Sequence, residues 1–201
     1  MARKSKNKIL KYSIAIVGEG ATEWYYFDSL RTEKRYSFQV SPELPTHSDF
    51  ASIFRSAEKL AIEGFDEVFC VLDLDVFGND DSIQKYKAKK YLLLKQYSNI
   101  HVFETMPCFE LWFILHFNDY STKFYNGSAE LILELKRHLP EYEKKKAYFE
   151  KINLYKTLSD KGNLEKAITS AKRLCTEKAI DDNPKFSFTE VYEVLEKLDK
   201  R

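Results

Sequence analysis

Three short stretches of this sequence carry side chains whose types and spacing could do chemistry. The first is Asp73-Leu74-Asp75, which ends the apolar run Val68-Phe69-Cys70-Val71-Leu72. Residues two apart on a strand face the same way, so both carboxylates can point at one spot. Two like charges that close repel unless a proton or a cation lies between them. The nearest basic residues along the chain are Lys59 and Lys85, so a divalent ion is the simplest counter-charge. Hard carboxylate oxygens favour magnesium or manganese over zinc. A solvated acidic loop is the plain alternative.

The second stretch is Gly18-Glu19-Gly20-Ala21-Thr22-Glu23, at the turn from an apolar strand into a helix. The carboxyl end of a parallel strand is where open α/β sheets place their sites. Glu19 would project at the strand tip and Glu23 from the first helical turn. Alternatively, Thr22 caps the helix and Glu23 answers its dipole. The P-loop pattern is absent. The third stretch runs from Pro107 through Cys108-Phe109-Glu110-Leu111-Trp112-Phe113-Ile114-Leu115-His116 to Phe117. Proline suits a first helical position, and a helix this apolar must be buried. Glu110 and His116 are its ionisable side chains. Glu110 can face the same rim as Asp73, or compensate a helix start. His116 reads either as a core histidine or as a group behind the carboxylates.

Alternating strands and helices would position these residues. Strands are predicted over 12–17, 36–40, 68–74 and 100–104, the second closed by Pro42 and Pro45. Helices are predicted from Thr22, over 48–63, over 82–96 and over 107–117. Strands separated by helices imply an α/β fold with a parallel sheet of about four strands, covered on both faces. Beyond residue 125 the signals are helical, over 130–139, 141–155, 164–179 and 189–198. Ser187 and Glu190 have capping-box spacing for the last of these. The expected organisation is a basic tail over 1–11, an α/β domain over 12–125 and a helical extension over 126–201.

Composition narrows the classes. The 201 residues are 44% hydrophobic and 31% charged, enough apolar material for a core without disulfide or metal staples. There is no apolar run long enough to span a membrane, and the basic start lacks the apolar stretch of a signal peptide. Three widely spaced cysteines, Cys70, Cys108 and Cys175, without C-x-x-C argue against a disulfide framework or zinc finger and for a cytoplasmic location. Net charge is +1, so no global polycation signals nucleic-acid binding. The distribution is more telling. No Lys or Arg lies between Lys59 and Lys85, while Glu63, Asp66, Glu67, Asp73, Asp75, Asp80 and Asp81 do. Basic residues flank this interval: Arg3, Lys4, Lys6, Lys8 and Lys11 before it, and Lys85, Lys87, Lys89 and Lys90 after it, with the run Lys144, Lys145, Lys146 further on. These are candidates for positioning phosphates.

The order of the three acidic stretches, Glu at the first strand tip, D-x-D at the third and Glu after the fourth, resembles the Toprim domain of topoisomerases, primases and overcoming-lysogenization-defect nucleases. Closer still, Gly18–Phe27 (Gly-Glu-Gly-Ala-Thr-Glu-Trp-Tyr-Tyr-Phe), Val71-Leu72-Asp73-Leu74-Asp75 and Pro107–Phe117 are similar to the RloB-like family, as is, more weakly, the closing Asn183-Pro184 before a helix. That resemblance implies a Toprim-like sheet, magnesium- or manganese-dependent phosphodiester hydrolysis with one or two ions, and a link to restriction loci and abortive phage infection. It implies Glu19, Asp73 and Asp75 as metal ligands and catalytic groups, with Glu23 and Glu110 completing a second site and His116 behind them. It further implies a DNA or RNA substrate, a partner ATPase of the same locus, and no membrane. Two other readings stay open. One is a non-catalytic sensor that binds nucleotide or nucleic acid in a defence system. The other is a haloacid-dehalogenase-type phosphatase with Asp73 as nucleophile, Asp75 as acid and Thr105 at the end of a further strand.

Overall fold

The computed structural model describes residues 12–41, 49–74, 80–180 and 186–200. The basic tail over 1–11, Pro42, Pro45, Asp75 and Asn183-Pro184 lie outside the described residues. The fold is α/β: one five-stranded sheet in the order β2-β1-β3-β4-β5, with helices on both faces. The strands are β1 (Ile14–Gly18), β2 (Phe38–Ser41), β3 (Glu67–Asp73), β4 (Ile100–Met106) and β5 (Phe188–Thr189). The first four run parallel and β5 pairs antiparallel to β4. Helices α1 (Ala21–Lys34), α2 (Phe50–Ile62) and α3 (Asp80–Gln96) alternate with the strands.

Period-two alternation sorts the strand side chains into two apolar clusters. Ala15, Val17, Val68, Cys70 and Leu72 pack with Ile53, Phe54 and Leu60 of α2 and Tyr86 and Leu93 of α3. Ile14, Ile16, Phe69 and Val71 face the other way. They meet Tyr26, Phe27 and Leu30 of α1 and the buried residues of α4 (Glu110–Ile114). β1 and β3 are buried along their whole length, as central parallel strands must be when both faces are covered. By the same alternation, Asp73 projects to the face that carries α1 and α4.

The second half of the chain contributes to that second cluster through α5 (Ser128–Leu135), α6 (Lys146–Phe149), α7 (Leu154–Lys161), α8 (Leu164–Ile180) and α9 (Val191–Asp199). Three expectations need correction, and the sheet gains an edge strand. A helix over 107–117 is too long. Pro107 follows a cis bond after Met106 and precedes α4, and the flanking turns close through i→i−3 bonds such as Leu111 N to Cys108 O and His116 N to Phe113 O. The helix over 141–155 is instead two, because the Asn153 side chain caps a new start at α7 by accepting from Lys156 N. The sheet has five strands, and the Ser187–Glu190 capping box does not form. Ser187 Oγ accepts from Tyr125 N, and Glu190 Oε2 accepts from Glu104 N. Both side chains pin β5 and its flanks rather than cap α9.

Trp112 of α4 is fully buried and donates from Nε1 to Tyr26 Oη at 2.8 Å, joining α4 to α1. Trp112→Ala should cost about 4 kcal/mol in urea unfolding, whereas Tyr26→Phe, which keeps the ring but leaves the buried Trp112 N–H without an acceptor, should cost about 2 kcal/mol.

Candidate metal centre

The site gathers where β1, β3 and β4 end. Gly18 closes β1 because the first turn of α1 packs against it: a Cβ at this position would stand 2.8 Å from Glu23 Cβ. Gly20, rather than the expected Thr22, is the residue before the helix. Its N–H donates to Glu23 Oε2 at 3.1 Å, so Glu23 in the first turn reaches back over the turn. Glu19, between the glycines, crosses to the next strand and accepts from Asp73 N through Oε2 at 3.2 Å. One loop therefore places Glu19 against the backbone of Asp73 and Glu23 against its own turn.

Asp73 is the last residue of β3, 7% exposed. Its Oδ1 is buried and has no hydrogen-bond partner. An unsatisfied buried carboxylate oxygen is costly. Burial, and then the charges of Glu23, Glu110 and Glu19, hold the Asp73 carboxyl well above the ordinary carboxylate range, with Lys144 opposing. Glu23 is pushed up to about 7, chiefly by burial and in part by Glu110, against the pull of its backbone hydrogen bonds and Lys144. The entry to α4 is tied to the same spot, since Leu74 N donates to the carbonyls of Thr105 and Pro107.

Glu110 completes the cluster and is fully buried. Tyr142 Oη donates to its Oε1 at 3.0 Å, and Lys144 Nζ lies 3.1 Å from Oε1 and 3.2 Å from Oε2. Lys144 was a candidate for positioning phosphates; it is instead the counter-charge that the sequence placed far from the acidic stretches. Tyr142 and Lys144 were missed as members of the site. The available signal was chemical: a carboxylate inside an apolar helix requires a cation or donors from elsewhere in the chain.

The remaining candidates lie elsewhere. His116 is buried at the far end of the α4 segment. Its Nδ1 bonds the Trp112 carbonyl at 2.9 Å, its ring packs on Trp112, and a Cβ at Gly162 would meet it. Burial pushes it down to about 4, so it is neutral. Lys90 is committed to Glu104, 2.6 Å away, while Lys85, Lys87 and Lys89 are exposed along α3. Thr105 is fully buried and its hydroxyl bonds Thr189 Oγ1 at 2.8 Å. It is therefore not free to bind phosphate as the phosphatase reading requires.

Among the described residues, no three carboxylate, cysteine or histidine side chains already stand as a metal-ligand group. Each is parked instead: Glu19 on Asp73 N, Glu23 on Gly20 N, Glu110 on Lys144 and Tyr142. Oxygen donors, an orphaned Asp73 Oδ1 and four carboxylates against one ammonium nevertheless suit a hard divalent cation.

The fold and this acidic carboxyl edge define an α/β protein with a mostly parallel sheet and a candidate site built from carboxylates. A family model described as RloB-like protein matches residues 14–198, and the chain belongs to the RloB-like family. The chain matches no curated protein and no solved structure. No described helix is long and apolar enough to cross a membrane.

The raised carboxyls give a pH signature. A carboxyl whose folded value exceeds its unfolded value contributes stability that is complete below the unfolded value and lost as pH rises through the folded one. For Glu23 that window runs from 4.5 to about 7. In chelator, wild type should lose stability relative to Glu23→Gln between pH 5 and 8, by on the order of 3 kcal/mol. Calorimetric melting of both proteins across that range checks it, and a constant gap contradicts it.

Proposed function

We propose that this protein is a metal-dependent nuclease, hydrolysing phosphodiesters of DNA or RNA with magnesium or manganese, in bacterial anti-phage defence. The observation that carries the reading is the buried, unpartnered Asp73 Oδ1, surrounded by Glu19, Glu23 and Glu110 at the carboxyl edge of a parallel sheet. Family membership supports it, through the resemblance of the same three acidic stretches to Toprim nucleases.

Asp73 and Glu19, joined on the family resemblance by Asp75, would hold the ion, and Glu23 and Glu110 would extend the site to a second. Such an ion, when bound, would polarise a phosphoryl oxygen and lower the pKa of a water nucleophile. Glu23, with its carboxyl near 7, can hold or release a proton at neutral pH, the property required of a general acid or base. The chain's own contribution to binding nucleic acid would come from α3. There Lys87, Tyr91 and Lys95 recur at four-residue intervals on one face, and Tyr91 is 65% exposed. Ammoniums spaced along a helix suit a phosphate backbone, and an exposed ring between them suits base stacking.

One observation favours the binding-only alternative, a defence sensor. The Glu110–Lys144 pair already neutralises part of the rim. Activity separates the two. Single- and double-stranded DNA and RNA should be cut with magnesium or manganese and not with chelator, and Asp73→Asn should lower the rate at least about a hundredfold. Either metal at a hundred times its Kd should stabilise wild type by about 2.7 kcal/mol. Metal-stabilised protein that cuts nothing supports the sensor, and flat melting curves across millimolar metal contradict both.

A further inference from the structure

Lys144 differs from the lysines beside it. Lys145 pairs with Glu143 and Lys146 with Glu150, both at the surface. Lys144 turns inward from the bend before α6 and spans both oxygens of Glu110, 34 residues away in sequence. The pair is lopsided: the Glu110 side chain is 0% exposed and that of Lys144 41%. The carboxylate has nowhere to go, whereas the ammonium has water on one side and a flexible four-carbon stem.

We propose that Lys144 is a displaceable counter-ion: it holds the acidic rim together when no divalent cation is present, and its positive charge sets how weakly such a cation binds. The inference rests on the metal-site reading above. A buried carboxylate stripped of its partner is strongly destabilising, so the metal-free protein needs the ammonium. A doubly charged ion entering the same rim is attracted by Glu19, Glu23, Asp73 and Glu110 and repelled by Lys144. The same carboxylates attract the Lys144 ammonium, Glu110 foremost at 3.1 Å. At a half-exposed position, one unit charge a few ångströms from a divalent ion changes its affinity by about tenfold or more.

The test is manganese binding rather than activity. Manganese(II) is titrated into the metal-free full chain, free ion is counted by electron paramagnetic resonance, and melting is followed in parallel. Lys144→Met and Lys144→Gln should each melt several degrees lower than wild type in chelator, yet bind manganese about tenfold more tightly, so that saturating manganese closes the gap in melting temperature. Lys144→Arg, which keeps the charge, should match wild type in both. If Lys144→Met does not fold without metal, Lys144→Gln, which keeps a hydrogen-bond donor, reports the affinity. Equal or weaker binding by the neutral variants while wild type binds manganese overturns the counter-ion role and leaves the metal site standing. No binding by wild type overturns both.

Discussion

Four carboxylates gathered at one sheet edge, three of them buried, against a single ammonium, are the constraint on which the rest of this structure depends. Like charges at that density resist burial, and the protein answers each one separately. Glu19 accepts from the Asp73 backbone, Glu23 from Gly20, and Glu110 from Lys144 and Tyr142. Asp73 is the exception, with one buried oxygen left over. A site in which three carboxylates have internal partners and the fourth has an oxygen to spare is assembled in outline and still has a place for positive charge.

The fold makes the convergence possible with few parts. Alternation along β3 turns Phe69 and Val71 into the apolar cluster beneath α1 and α4, and the next residue of that parity, Asp73, is carried to the rim on the same face. Glycine at position 18 lets α1 start against the strand end, which brings Glu23 inward. Leu74 N bonds the carbonyls of both Thr105 and Pro107, so the ends of β3 and β4 and the entry to α4 are one hydrogen-bonded unit. The later helices close the face. They also deliver Tyr142 and Lys144, making the second half of the chain part of the site's chemistry as well as of its core.

What could be read from the residues followed their local periodicity. The apolar run 68–72 before an acidic end, the glycine pair before a helix, and the alternation of strands with helices all depend on neighbours within a few positions, and the parallel strands were legible from them. β5 was not, because two residues, Phe188 and Thr189, paired antiparallel at an edge leave no periodic trace. The break between α6 and α7 was hidden by a continuous helical pattern that an Asn153 cap interrupts. At the site, Glu19, Glu23, Asp73 and Glu110 were identifiable as acids in unusual settings. Their partner Lys144 sat in a charge run that reads as solvated surface, and nothing in its immediate sequence distinguishes it from Lys145 or Lys146. Long-range pairing of that kind becomes visible only when burial is known.

The central claim, that the acidic edge holds a hard divalent cation through Asp73 and Glu19, is tested most directly by diffraction from manganese-soaked crystals at the manganese absorption edge. The account predicts an anomalous peak within about 2.2 Å of an Asp73 carboxylate oxygen, with Glu19 among its ligands. Crystals saturated with manganese that show no peak at this edge, with Asp73 and Glu19 still in their metal-free positions, would contradict it.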